Sequence, residues 1–205
     1  MTLHRQLPVS QLGLPPFDGM RIGLFGGSFN PAHAGHLSVS LEALHHLKLD
    51  RVWWMVSPQN PLKDPSETDD FANRLAGARR IARHPRLSVC DFEQRLGTGT
   101  TAATLHALRP VLEHGHFVWV MGADSFAGLH RWNDWRDIPR ALPLAVFDRP
   151  GWALKALRSP AARWLAQYRL DAYDAGLLAD RAAPAWCFVP MPLRPESSTA
   201  IRAGQ

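Results

Sequence analysis

One stretch constrains this chain more than any other: Ile22-Gly23-Leu24-Phe25-Gly26-Gly27-Ser28-Phe29-Asn30-Pro31-Ala32-His33-Ala34-Gly35-His36. An apolar run that passes into paired glycines, and then into a helix-compatible segment, reads as a strand, a turn and a helix start. Without a Cβ at Gly26 and Gly27 a ligand can approach the backbone where a side chain would collide. The unpaired N–H groups of the next helical turn point to the same place, which attracts phosphate. His33 and His36 lie three residues apart across Gly35, so a helix starting near Ala34 sets both imidazoles at its positive end. Two nitrogen donors and a bare backbone would then face one polyphosphate. No third Cys, His or carboxylate follows at the spacing of a zinc site, so no metal ligands are expected here.

The remaining pattern is that of an α/β protein. A helix over about Leu37–Leu47 is followed by Arg51-Val52-Trp53-Trp54-Met55-Val56-Ser57, apolar on both faces as a central parallel strand must be. It runs into a loop with prolines at 58, 61 and 65, on which Lys63 could close over an anion. Phe71–Ala82 has helical spacing and Leu87–Phe92 reads as a third strand, which completes βαβαβ. Gly97-Thr98-Gly99-Thr100-Thr101-Ala102 matches a dinucleotide fingerprint on paper. The glycines do not directly follow the strand, however, and no acidic residue stands about 20 positions on. Thr100 or Thr101 reads instead as the N-cap of a helix to Leu112, with hydroxyl and N–H groups left for a small ligand.

A fourth strand, His116–Met121, ends in Gly122-Ala123-Asp124-Ser125, at the carboxyl end where open α/β sheets bind ligands. Trp132 and Trp135 follow among polar neighbours, and one of them is expected to stack on a flat ring. Leu142–Phe147 is a fifth strand, left through Arg149-Pro150-Gly151. The Ala-, Leu- and Arg-rich segment 152–184 is expected to form one or two surface helices, and Trp186–Val189 a last strand. The whole predicts a Rossmann-like, doubly wound, mostly parallel sheet with helices on both faces. Residues 1–19 are expected to form a loose N-terminal arm that can be removed, back to Met20, without loss of activity, and residues 20–205 a single domain.

A net charge of +5 and a pI near 9.9 suit an anionic partner, nucleotide or nucleic acid. The basic residues are scattered, with Arg79-Arg80 the only adjacent pair, which argues against a dedicated nucleic-acid stripe. No apolar run approaches the roughly 20 residues that cross a bilayer. Cys90 and Cys187 sit in separate apolar runs and read as reduced core residues of a cytoplasmic protein.

Near the other end, Pro195-Glu196-Ser197-Ser198-Thr199-Ala200-Ile201-Arg202 sets three hydroxyls before a helix start, again suited to phosphate, with the Arg202 fork behind them. The glycine-histidine turn resembles the signature of the HxGH nucleotidyltransferases. Together with the loop of Lys63, Thr101 with Thr104-Leu105, Gly122-Ala123-Asp124-Ser125, Trp132 and Arg149-Pro150-Gly151, it resembles the bacterial nicotinate-nucleotide adenylyltransferases over nearly all of residues 20–202. Asn30 stands where many relatives carry Asp, and Glu196 where an apolar residue is usual.

The resemblance implies transfer of the adenylyl group of ATP to nicotinate mononucleotide, giving the dinucleotide and pyrophosphate. It implies catalysis by His33, His36 and Arg202, and ATP contacts from Gly26, Gly27, Ser28, Phe29, Ser197, Ser198 and Thr199. Lys63, Thr101, Gly122, Asp124, Trp132 and Arg149 would hold the acceptor, with the tryptophan on the pyridine ring. Mg²⁺ would arrive on the ATP phosphates. Nicotinamide mononucleotide or phosphopantetheine are alternative acceptors, and a non-catalytic basic RNA-binding protein is the alternative of a different class.

Overall fold

A computed structural model describes residues 12–58, 68–192, 198–202 and 204. Seven strands, β1 (Arg21–Gly27), β2 (Arg51–Val56), β3 (Leu87–Cys90), β4 (His116–Gly122), β5 (Leu144–Phe147), β6 (Arg169–Leu170) and β7 (Trp186–Val189), form one sheet in the order β3-β2-β1-β4-β5-β7-β6. Every pairing is parallel. The strand order reverses between β1 and β4, and the crevice at their carboxyl ends is where such sheets bind ligands.

Successive residues of the central strands enter two separate cores. Ile22, Leu24, Trp53, Met55, Phe117, Trp119, Leu144 and Trp186 face one side. Phe25, Val52, Trp54, Val118, Val120, Ala145 and Cys187 face the other. This period-2 exchange explains why the strands read as unbroken apolar runs: both faces are covered. The second face is covered by α1 (Ala34–His46), α2 (Phe71–Ile81) and a 3-10 segment, Ala172–Asp180. The first is covered by α3 (Phe92–Leu96), α4 (Thr101–Ala107), α5 (Arg109–Leu112), α6 (Ala123–Gly128), α7 (Asp137–Ala141), α8 (Ala153–Leu157) and α9 (Pro160–Trp164). A last helix, α10, is Ser198–Arg202.

The structure departs from expectation in several places. The predicted third strand, Leu87–Phe92, ends at Cys90, and Phe92 instead opens α3 after the Asp91 N-cap. The helix from Thr101 breaks after Ala107, because Pro110 has no N–H to give to the preceding turn. Segment 152–184 is not simply surface helix: it holds α8, α9, 3-10 turns and the edge strand β6, too short to show any alternation. The described part of the N-terminal arm is packed. Leu12 is only 2% exposed, Leu14 and Phe17 lie against the same core, and Arg95 Nη1 donates to the Leu12 carbonyl. The ring of Phe17 meets Trp53 edge-on, with centroids 6.0 Å apart. Both cysteines are free thiols in the core, and burial pushes the Cys187 thiol up to about 12. Among the described residues no helix is long and apolar enough to cross a membrane.

Candidate active site

A cleft of about 490 Å³ opens at the switch point, over the carboxyl ends of β1 and β4. Its wall on the α1 side begins at Gly26 and Gly27, which are the last residues of β1 and not a turn. A Cβ on Gly26 would lie 2.5 Å from Cη2 of Trp119, so the missing side chain is replaced first by the indole that floors the cleft. The turn itself is made at Phe29, at φ 46°. A bulky residue in the left-handed region costs on the order of 1–3 kcal/mol and must be held by its surroundings. Phe29 is stacked on Trp54 with centroids 4.9 Å apart and planes at 11°, and touches the ring of His36 at 4.8 Å.

His33 is the N-cap of α1 and His36 its third residue. His33 Nδ1 accepts the N–H of Gly35 at 3.1 Å, and His36 Nδ1 accepts the N–H of His33 at 3.2 Å. This is a capping box built from imidazoles in place of the usual hydroxyl and carboxylate. A ring nitrogen that accepts a backbone N–H carries no proton, so in each neutral imidazole the hydrogen sits on Nε2. Both rings line the cleft, 3.9 Å apart. Gly35 is required here for space, since a Cβ would meet the His33 ring at 2.9 Å and Arg149 Nη1 at 3.0 Å. That same closeness brings the Arg149 guanidinium to the start of α1. Trp54 Nε1 donates to Ser40 Oγ at 2.7 Å, and Ser40 Oγ donates to the His36 carbonyl at 2.9 Å, so α1 is docked on β2.

The opposite wall lies on the other face of the sheet. Thr100 caps α4, accepting from the Ala103 N–H, and Thr101 follows at the first helical position. Thr100, Thr101, Gly122, Asp124, Ser125 and Trp132 all reach the cleft. Trp132 is the cleft tryptophan of the pair, whereas Trp135 is buried against Trp164. Ser198 also lines the cleft, and its Oγ donates to the Pro31 carbonyl at 3.0 Å. Arg202 departs from expectation: it is not among the residues lining the cleft, and Nη1 donates to the Asn30 carbonyl, so it latches α10 to the loop before α1. Lys63 and Ser197 lie outside the described residues, as does the side chain of Thr199.

Several site residues escaped the sequence reading. Trp119, Asn133 and Trp152 line the cleft. So does Glu93, whose acid is pushed up to about 7 by burial. Arg74 carries no signal in sequence beyond helix spacing. It is nevertheless buried, with donors to the carbonyls of Ser28 (2.6 Å), Ser57 (2.8 Å), Pro58 (2.6 Å) and Asp69 (2.9 Å). One guanidinium thereby ties the loop before α1 to the exit of β2 and the start of α2. Burial lowers its pKa, offset in part by Asp69 and Asp70.

A parallel sheet whose switch point carries a helix N-terminus between two imidazoles is the framework of a nucleotidyltransferase. The cytidylyltransferase-like family matches residues 24–204. A protein of Caulobacter sp. (strain K31) named "Probable nicotinate-nucleotide adenylyltransferase" is 54% identical over 186 residues, covering 91% of this chain and 98% of that protein. Proteins of the same name from Ruegeria pomeroyi and Rhizobium meliloti are 52% and 50% identical, covering 90% and 91% of this chain and 86% and 99% of theirs. The chain belongs to the nicotinate-nucleotide adenylyltransferase family. In fold it is similar to the Plasmodium falciparum nicotinic acid mononucleotide adenylyltransferase solved with NaAD, at a TM-score of 0.65 and 15% identity over 90% of this chain and 83% of that one.

Proposed function

We propose that the cleft joins ATP to nicotinate mononucleotide, producing nicotinate adenine dinucleotide and pyrophosphate for NAD biosynthesis. The observation that carries this reading is the imidazole capping box, in which both Nδ1 atoms are engaged in the α1 start and each neutral ring keeps its donor at Nε2. The family supplies the acceptor.

An oxygen of the mononucleotide phosphate attacks the α-phosphorus of ATP; the new P–O bond forms as the bond to the β-phosphate bridging oxygen breaks. The second pKa of a phosphate monoester is about 6, so the nucleophile is largely dianionic at neutral pH and needs no general base. The demand is for alignment of two anions that repel each other, and positioning is worth on the order of 7–11 kcal/mol in favourable cases. His33 and His36 donate to the triphosphate where charge grows, beside Gly26, Gly27, Ser28 and Phe29; the N–H groups of His33 and Gly35 are themselves taken up by the two imidazoles. Ser198 sits on this side, and Arg202 serves by holding α10 against the loop. Ser197 and Thr199 are assigned to the ATP phosphates, and Lys63 to the acceptor, by the family pattern alone.

On the other face Trp132 stacks on the pyridine ring, with Thr101, Gly122 and Asp124 around it. Arg149, next to Gly35, stands between the two halves, where the phosphates meet. Mg²⁺ neutralises triphosphate charge when bound. Among the described residues the cleft carboxylates are Glu93 and Asp124, which come from α3 and α6, so the chain fits an ion carried in by the nucleotide better than one caged at α1.

The test is pyrophosphate release from ATP and Mg²⁺ with nicotinate mononucleotide, nicotinamide mononucleotide or phosphopantetheine as separate acceptors. Turnover is expected to be strongest with nicotinate mononucleotide. Preference for either other acceptor refutes the assignment, and silence with all three refutes the chemistry.

A further inference from the structure

Glu93 is not used by the mechanism above. It stands on α3, one residue after Phe92, which is buried in the core under the acceptor wall. The residue is 6% exposed, yet it lines the cleft, and neither carboxyl oxygen is both sealed and unbonded. Among the described residues the carboxyl has no hydrogen-bond or ionic partner; the backbone carbonyl is used, accepting from the N–H groups of Gly97 and Thr98, the latter at 3.1 Å. Such a group is penalised by desolvation if ionised there, unless a ligand completes it.

Its neighbours do not supply the missing charge. On α3, Arg95 donates to the Leu12 carbonyl. On the same face β2 presents Trp53 and Met55, and α4 carries only His106, in its last turn. Across and along the cleft stand Asp124, Arg149, His33 and His36. Burial alone accounts for an acid that titrates at about 7, against 4.5 in water.

Glu93 is on the sheet face that carries Thr101, Asp124 and Trp132, and not on the face of α1. If the acceptor binds as assigned above, a carboxylate on its ring must settle in this half of the cleft, where ionised Glu93 would repel it. We propose that Glu93 receives an acidic acceptor as the neutral acid, donating its proton in a hydrogen bond to the ring carboxylate, so that binding draws a proton from solvent onto the Glu93 carboxyl. Glu93 is thus a specificity residue for acid over amide. When ionised it can only accept, which suits a carboxamide N–H.

The inference rests on nicotinate mononucleotide being the acceptor, and the test separates the two. Proton uptake on binding is measured by calorimetry at pH 8 in two buffers of different protonation enthalpy, for the full-length protein and for Glu93→Gln. With its acid at about 7, free Glu93 is roughly 90% ionised at pH 8. The unsubstituted protein is therefore expected to take up about 0.9 proton more per nicotinate mononucleotide than Glu93→Gln, and to show no such excess with nicotinamide mononucleotide. Equal uptake by the two proteins overturns the proposal. In the unsubstituted protein alone, the ratio of kcat/KM for acid over amide acceptor should fall about fivefold from pH 7 to 8 and about a further tenfold by pH 9. A ratio independent of pH overturns the proposal without recourse to the variant. Absence of any binding heat with nicotinate mononucleotide overturns the acceptor assignment itself.

Discussion

Replacing His36 by Ala removes two things that the structure separates. The first is a cap: His36 Nδ1 no longer accepts the His33 N–H, a 3.2 Å bond at the start of α1. Losing a cap of this kind costs about 1 kcal/mol, which for a chain of 205 residues lowers Tm by roughly 2–4 °C. The second is the donor at Nε2. A hydrogen bond to a charged group contributes about 1.5–3 kcal/mol, and if it strengthens as charge builds in the transition state, its loss lowers kcat by about 10- to 150-fold with little change in the KM for ATP. His36→Gln divides the two effects, because a glutamine at this third helical position can again accept the His33 N–H. It should restore Tm to within about 1 °C while recovering only part of kcat, since its amide N–H need not reach where Nε2 stood. The measurements are thermal unfolding and steady-state pyrophosphate release. A His36→Ala protein that loses ATP affinity by the same factor as kcat/KM, with kcat intact, refutes the transition-state role and leaves plain binding. An unchanged Tm refutes the capping role.

Further predictions concern the frame of the cleft. Arg74→Met strands four backbone carbonyls and should cost about 3 kcal/mol or more in denaturant unfolding; a loss under about 1 kcal/mol contradicts the clamp. Gly26→Ala drives a methyl onto Trp119 and should cost about 1–3 kcal/mol and disturb the cleft floor, which unfolding and indole fluorescence would report. Deleting residues 1–19 uncovers the sites of Leu12, Leu14 and Phe17, so Tm should fall by several degrees; an unchanged Tm refutes that packing. Glu93 binds its proton more tightly folded (about 7) than unfolded (4.5), so its favourable contribution is complete below about pH 4.5 and is lost as pH rises through 7. Glu93→Gln should match the unsubstituted protein near pH 4.5 and exceed its stability by about 3 kcal/mol at pH 9, and equal pH dependence of the two proteins contradicts it.

The fold and half of the site were legible in the sequence for a local reason. Strand β1, Gly26-Gly27, and the spacing of His33 and His36 lie within one short stretch, where a strand, a turn and a helix start are written by neighbouring residues. The apolar runs of β2, β4 and β7 announce strands buried on both faces, which only a parallel sheet under two layers of helices provides. Asp124 and Trp132 were findable because they follow the carboxyl end of a strand.

What no local pattern contains is which distant groups meet. That Phe29 takes the left-handed turn depends on Trp54, and the roles of Arg74 and Arg202 depend on carbonyls that become acceptors only when their loops come together. The arm reads as loose because its prolines forbid regular structure, but proline does not prevent burial, and Leu12 and Phe17 find the core all the same. Glu93 is the sharpest case. In sequence it is an ordinary acidic residue just past a predicted strand; its unpaired burial, and so its chemistry, exists only because α3 lays it against the cleft. Sequence determined the strand, the helix start and the imidazole donors, because these follow from each residue's own backbone preference and its neighbours; it misplaced the turn, which Phe29 makes against Trp54. Tertiary structure decided burial and partnership, because desolvation and hydrogen bonding are properties of the space that distant segments enclose.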